Sequence, residues 1–469
     1  MCVTRIAIVG GGPAGYESAL VAVQLGADVT LIESEGIGGA CVLTDCVPSK
    51  TLIATSDRVT MFRDAPKVGV GVVSEKVDVD LRTVNDRIKA LAAQQSADIR
   101  DRLAHDGVTL VAGSARFATT QPARAHRLDV LDSNGAVTAD VEADIVLLAT
   151  GGTPRVLDTA RPDGERILSW RDVYELTEPP EHLVVIGSGV TGAEFASGYS
   201  EIGVPVTLVS SRDRVLPGED PDAAAVIEDV FTSRGGTLVR KARASGVTNT
   251  GDGVEVTLQD GRVVSGSHAL MCVGSVPNTS GLGLENVGVR LDGNGYIGVD
   301  RVSRTNVSTI YAAGDCTGVL LLASVAGMQG RIAMWHALGA AVAPLRLKTV
   351  AANVFTHPEI ATVGIGYQAI SSGEVPARSV TLPLATNARA KMQGFDAGFV
   401  KIYCRPATGV VIGGVVVAPG ASELIFPLTM AVQHSLTVAE VASTIGVYPA
   451  LTGSIAEAAR RLMAHDDLD

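Results

Sequence analysis

At 469 residues the chain exceeds one ordinary domain and suggests roughly two to four. Hydrophobic residues make up 46% and charged residues 19%, too apolar for a disordered chain and enough to fill substantial cores. The net charge of -12 argues against a nucleic-acid partner and a polybasic membrane anchor, but not against a nucleotide held by backbone amides.

The first apolar run, Arg5-Ile-Ala-Ile-Val9, stops at Gly10-Gly-Gly12 and reads as a buried strand. It lacks the basic start and small-residue cleavage site of a signal peptide. No run reaches the roughly 18 apolar residues of a membrane span, so no transmembrane segment is expected. Of six cysteines only Cys41 and Cys46 sit close together, a pattern that favours a reducing, cytoplasmic setting over a disulfide scaffold. A long helix is expected over Leu81 to His105. A second apolar run, Ala143-Asp-Ile-Val-Leu-Leu-Ala-Thr-Gly-Gly152, then returns to the first sheet.

The opening unit recurs. Arg5–Gly15, with Gly10-x-Gly12-x-x-Gly15, is repeated as Leu183–Gly192, with Gly187-x-Gly189-x-x-Gly192. Each copy is followed by a helix-like stretch and a second strand, Val29–Glu33 and Val206–Ser210. The distances match: Gly10 to Glu33 is 23 residues, and so is Gly187 to Ser210. In such a unit the first glycine permits a tight turn and the second lets backbone approach a pyrophosphate. The third allows close helix–strand packing, and the phosphates rest on the helix N-terminus. His268–Gly274 closes the second unit and Thr309–Asp315 returns to the first, so the second is expected to be inserted into the first. Beyond about Thr349 strands alternate with helices and no fingerprint recurs, which suggests a third domain.

These motifs resemble the flavoprotein disulfide reductases, the family of lipoamide dehydrogenase, glutathione reductase and mercuric reductase. The resemblance runs nearly end to end. It includes Gly38-Gly-Ala-Cys41-Val-Leu-Thr-Asp-Cys46-Val-Pro-Ser-Lys50, Ala149-Thr-Gly-Gly152, Ala312-Ala-Gly-Asp315 and Phe355-Thr-His-Pro-Glu359. It implies an α/β fold with two nested Rossmann-like domains and a C-terminal α+β dimerisation domain. Residues 1–153 and 281–348 would bind FAD, 154–280 would bind NAD(P)H, and 349–469 would form a homodimer interface. For FAD it implies Gly10, Gly12, Pro13, Ala14, Gly15, Glu33, Cys41, Lys50, Gly113, Ala149, Thr150, Gly151, Asp315 and Ala323. Of these, Glu33 would bind the adenosine ribose, a task its carboxylate suits on its own chemistry. Asp315 would meet the ribityl or phosphate region, and Lys50 would lie beside the flavin, paired with Glu194. For NADPH it implies Gly187, Gly189, Gly192, Glu194, Ser210, Ser211, Arg212 and Gly274. No metal is implied.

Catalysis is assigned to Cys41, Cys46, Lys50, Glu194 and Tyr448. Pro48 suits the first turn of a helix, and a thiol near that positive end becomes a thiolate more readily. By resemblance Cys46 would face the flavin and Cys41 would exchange with an outside disulfide. Such exchange also needs a base, and a histidine held by a carboxylate supplies it. The family places this pair in a C-terminal motif like His-Pro-Thr-Leu-Ser-Glu, where this chain reads Tyr448-Pro-Ala-Leu-Thr-Gly453. A phenol, with a reference pKa of about 10, is a poor base at neutral pH. His357, His434 and His465 stand away from the motif.

An acceptor that takes electrons directly from reduced flavin is therefore expected, and a quinone does so without a thiol partner. The expectation is an NAD(P)H:quinone oxidoreductase, with disulfide reduction through Cys41 and Cys46 as the alternative and a non-catalytic nucleotide-sensing flavoprotein as a third reading. Mercuric reductase and a C-terminal thiol relay are disfavoured, since no cysteine follows Cys404. Where NADH specificity would place an acid, the second unit carries Ser210, then Ser211, Arg212 and Arg214, which suits the 2′-phosphate of NADPH. NADH is expected to work as well.

Overall fold

A computed structural model describes residues 3–71 and 77–463, and His465 lies outside them. By internal contacts the chain divides into two compact units. The first comprises Met1–Ser49, Asp86–Arg155 and Gly274–Leu345. The second comprises Lys50–Asn85, Val156–Val273 and Arg346–Asp469.

The first unit is built on five parallel strands in the order Ile310–Ala312, Ile145–Leu148, Arg5–Val9, Asp28–Glu33, Thr109–Ala112. Apolar residues run continuously along Arg5–Val9 because both faces of the sheet are covered. Ile6 and Ile8 point with Leu31 and Leu147 toward a layer holding Ala14, Ala22 and Met334. Ala7 and Val9 face the opposite cluster with Phe117, Leu128 and Val130, from the antiparallel sheet Ser114–Phe117, His126–Leu131 and Val137–Ala143. The strand Ile310–Ala312 pairs with Ile145–Leu148, so the chain does return to its first sheet after the second fingerprint. The expected helix Leu81–His105 is present with those bounds.

The second unit repeats the pattern. Its parallel order is Thr237–Val239, Val206–Val209, Leu183–Ile186, His268–Met271, Ile167–Ser169. A five-stranded antiparallel sheet from Ala351 to Ala418 follows, packed against the helices Phe426–His434 and Gly453–Met463 through Leu428, Ala431, Ile455 and Ala458. Within this unit Lys401 reaches Asp220 with both oxygens at 2.8 Å, and the Tyr403 hydroxyl donates to Asp220 at 2.8 Å. Asp220 is 3% exposed, so its charge is satisfied entirely by this network and by its own cap on the helix Pro221–Ser233. The second compact unit thus holds Val156–Val273 together with the C-terminal sheet and Lys50–Asn85.

Candidate active site

The first fingerprint turn is forced by glycine. Gly10 has φ +103°, and a Cβ there would strike the Ala149 carbonyl oxygen; one on Gly15 would strike the Gly10 oxygen. A side chain is therefore excluded twice, and the helix Pro13–Gln24 starts directly under the strand. Gly12 caps that helix in an extended conformation with Pro13 following, and a Cβ on Gly12 would meet nothing within 4 Å. Open space in front of a helix N-terminus fits a pyrophosphate. Glu33 Oε2 accepts the Gly11 N–H at 2.6 Å, and its Oε1 accepts the Glu35 N–H at 2.6 Å. This locks the carboxylate at the end of its strand beside the turn, with lone pairs left for ribose hydroxyls.

Around this turn the unit gathers further backbone and acid groups. Gly113, at φ +142°, donates to the Glu33 carbonyl at 2.9 Å. Ala149-Thr150-Gly151 is held by Asn278, whose side chain donates to the Thr150 carbonyl at 2.9 Å and whose N–H donates to that of Gly151 at 3.0 Å. The Gly314 N–H donates to Gln329 Oε1 at 2.9 Å, which fixes the loop bearing Asp315. Burial, and then the neighbouring Asp45 carboxylate, push Asp315 up to about 6. Hydroxyl donors from a ribityl chain would relieve that strain on its charged form. Ala323 opens the helix Ala323–Ala337. Asn278, Gln329 and Asp45 escaped sequence reasoning because their partners lie far off in the chain. These residues fit FAD.

Cys41 lies in the short helix Gly39–Leu43 and Cys46 is the first residue of Cys46–Asp64; both are half-buried thiols. A 19-residue helix presents its positive end to a thiol at that first position. In the second unit Lys50 Nζ pairs with Glu194 Oε2 at 2.8 Å. The Phe355 N–H donates to Glu194 Oε1 at 2.9 Å, and Lys50 Nζ lies 4.9 Å from the Phe355 ring centre. Glu194 is 4% exposed, so both its oxygens are satisfied by cationic or amide donors instead of water.

The second fingerprint copies the first: Gly187 at φ +111° would strike Cys272, and Gly192 would strike Gly187. Gly189 caps the helix Val190–Glu201 and has open space beside it, as Gly12 does. Ser210 is 1% exposed and its hydroxyl faces inward, 2.7 Å from that of Ser188. Arg214 donates to the carbonyls of Pro217 at 3.0 Å and Glu219 at 3.4 Å, so it braces its own loop. Ser211, Arg212 and Asp213 are exposed at this strand end. Gly274, in the first unit, has φ +93° and accepts the Arg155 N–H at 2.9 Å.

Tyr448 is 85% exposed and Gly453 begins the last helix. Val447 and Ile445 beside it are also exposed, at 80% and 98%. His434 is exposed at the end of its helix, whereas His357 is half-buried with Nδ1 3.1 Å from Asp57 Oδ1. No described helix is long and apolar enough to cross a membrane.

Two glycine-turn nucleotide units, a cysteine pair at a helix start and a lysine paired with a buried glutamate define a flavin- and pyridine-nucleotide-using oxidoreductase. Residues 4–330 match the family described as pyridine nucleotide-disulphide oxidoreductase and residues 350–459 match its dimerisation domain. The chain belongs to that family, and FAD and NAD(P)H are its cofactors. It is 59% identical over 471 residues to a Mycobacterium tuberculosis protein named NAD(P)H dehydrogenase (quinone), covering 100% of this chain and 95% of that one. It is 32% identical to the dihydrolipoyl dehydrogenase of Geobacillus stearothermophilus, over 97% of this chain and 95% of that one. The crystal structure of LpdA from Mycobacterium tuberculosis matches with a TM-score of 0.94 at 58% identity, covering 98% of this chain and 100% of that one.

Proposed function

We propose that this chain is an FAD-dependent NAD(P)H:quinone oxidoreductase, acting as a cytoplasmic homodimer on a small-molecule quinone. The observation that carries the reading is the pair Tyr448 and Gly453, where disulfide reductases of this family hold histidine and glutamate. Without that pair the motif supplies no proton donor for a leaving sulfur, so acceptors that need no thiol chemistry are favoured. The 59% identical protein's name agrees with it.

In this reading residues 1–153 and 281–348 bind FAD, 154–280 bind NAD(P)H, and 349–469 form the dimer interface. FAD, when bound, supplies the hydride relay between nicotinamide and quinone. Glu33 holds the adenosine ribose, the amides at Gly12 to Gly15 hold the pyrophosphate, and Asp315 takes ribityl hydroxyls. By the family resemblance, Lys50, held by Glu194, and the Cys46 thiol would both be turned toward the flavin. Ser211 and Arg212 receive the 2′-phosphate of NADPH. The Tyr448 phenol donates a hydrogen bond to a quinone oxygen. Disulfide reduction through Cys41 and Cys46 is the second reading, favoured by the retained thiols at a helix start.

Steady-state turnover with NADPH and a panel of acceptors tests this. General acid–base catalysis is worth about 10²- to 10⁴-fold, so lipoamide and glutathione disulfide should trail small benzoquinones by that margin. Cys41→Ser should spare most quinone turnover. Lipoamide turnover equal to that of benzoquinones, or loss of quinone reduction in Cys41→Ser, overturns the reading. A flavin left oxidised by NADPH would mark a non-catalytic protein.

A further inference from the structure

Three chemically suited side chains converge in the second unit away from the Lys50–Glu194 pair. Asp57 comes from the helix Cys46–Asp64, Glu201 from the end of Val190–Glu201, and His357 from the loop between the strands Ala351–Val354 and Glu359–Gly364. Their ligand atoms all lie within 4.8 Å of one another. Bonds of about 2.0–2.2 Å to a small cation require donors roughly 3–3.5 Å apart. His357 Nδ1 and Asp57 Oδ1 already stand at 3.1 Å, and a Glu201 carboxylate oxygen lies within 4.8 Å of both.

We propose that Asp57, Glu201 and His357 bind a divalent first-row transition cation of zinc or manganese type. One imidazole nitrogen with two carboxylates suits such ions, whereas calcium would need six to eight oxygens. The surroundings are those of a held ligand set. Ser197 Oγ donates to Glu201 Oε1 at 2.7 Å and Thr60 Oγ1 donates to Oε2 at 3.0 Å. The His357 N–H donates to Ser197 Oγ at 3.1 Å, so one serine orients two of the three donors. Glu201 is only 2% exposed; Arg234 reaches its Oε1 at 3.5 Å and Arg63 donates to its backbone carbonyl at 2.7 Å. A cavity of about 380 Å³ opens onto Asp57, Thr60 and His357, offering an entry path and room for a water in the remaining coordination position. The site is independent of the acceptor. It bears on the redox pair mechanically, because Glu201 shares a helix with Glu194 and His357 shares a loop with Phe355.

The test uses the flavin-loaded full chain, stripped with chelator and dialysed against Mn²⁺ and, separately, Zn²⁺. One saturable ion per chain is expected, with Asp57→Asn and His357→Gln each weakening affinity at least about tenfold and Ser197→Ala weakening it by about tenfold. Asp57→Asn is isosteric and half-exposed, so it keeps the test open should His357→Gln fail to fold. The double variant Cys41→Ser with Cys46→Ser should bind the ion as the wild type does. Absence of saturable binding overturns the proposal, and so does binding that survives Asp57→Asn but disappears with the two cysteines.

Discussion

The turns at Gly10–Gly15 and Gly187–Gly192 have one backbone built twice. Their first glycines sit at φ +103° and +111°, each helix runs 12 residues, and each third glycine lies against the carbonyl of the first. The side chains placed on that shared frame go different ways. Seven residues after the first glycine, Glu17 meets Arg331 at 2.9 Å on a half-exposed surface, while Glu194 is buried with Lys50 and the Phe355 amide. Twenty-three residues after it, Glu33 ties its carboxylate to the Gly11 amide, while the Ser210 hydroxyl ties to Ser188. Both residues brace their own turn, but only the first leaves a charge at the strand end. Backbone geometry repeats because strand–helix packing demands it, and ligand chemistry is free to diverge.

The largest effect should come from the third glycines. Gly15→Ala and Gly192→Ala face the same clash, a local overpacking of about 1–3 kcal/mol. Gly15→Ala should lose flavin, read as the ratio of flavin to protein absorbance. Gly192→Ala should keep its flavin and lose reduction by NADPH, read in stopped flow. If both lose flavin alike, the division of labour between the turns is wrong.

Acidity separates the units next. Asp315 is raised to about 6, above the ordinary carboxylate value, so its stabilising contribution is fully present below about pH 4 and lost as pH rises through 6. Flavin-free protein should lose up to about 3 kcal/mol across that window, and Asp315→Asn should flatten the loss. Urea unfolding at several pH values measures it. Amide exchange should speed up in Ile310–Ala312 before Leu183–Ile186.

Arg212 and Arg214 of the second unit sharpen the contrast with Glu33. Arg212→Ala should lower kcat/KM for NADPH by roughly 1.5–3 kcal/mol and leave NADH almost untouched, since a charged hydrogen bond is lost from one donor only. Arg214→Ala should weaken both nucleotides, because its guanidinium holds the loop carbonyls of Pro217 and Glu219. A wild-type preference for NADH would count against the whole assignment.

The smallest effect should come from Glu17, the exposed one of the paired glutamates. Glu17→Gln, on a solvated ion pair, should cost no more than about 1 kcal/mol in urea unfolding. Glu194→Ala, which strands the Phe355 amide and Lys50, should cost about 1–3 kcal/mol and slow flavin reduction. Equal costs would mean that burial at position 194 does not matter.

Much of the site was legible because its signals are local. Gly10, Gly15, Gly187 and Gly192 announce themselves by spacing alone, since each answers a steric demand from within its own strand–turn–helix. The Lys50–Glu194 pairing was readable only through resemblance, as the two residues are 144 apart and nothing in either segment names the other. The inward turn of Ser210 was not readable: a hydroxyl after a strand suits a phosphate or a neighbouring serine equally, and only packing at 1% exposure selects the latter. His357 stands away from the C-terminal motif in sequence, and only packing brings Asp57 and Glu201 beside it.

The amino-acid order by itself determined the two nucleotide units, their nesting, the helix Leu81–His105, the thiol pair and the absence of a histidine–glutamate pair at 448 and 453. These follow from periodicity, from glycine sterics and from residue identity, which are properties of short stretches. Tertiary structure alone decided which charges are buried and with what: Glu194 with Lys50, Asp220 with Lys401, Asp315 beside Asp45, and Asp57, Glu201 and His357 together. A charge becomes chemically distinctive only when water is replaced by specific neighbours. Those neighbours arrive from other strands and helices, so their identity is set by the packing of the whole unit.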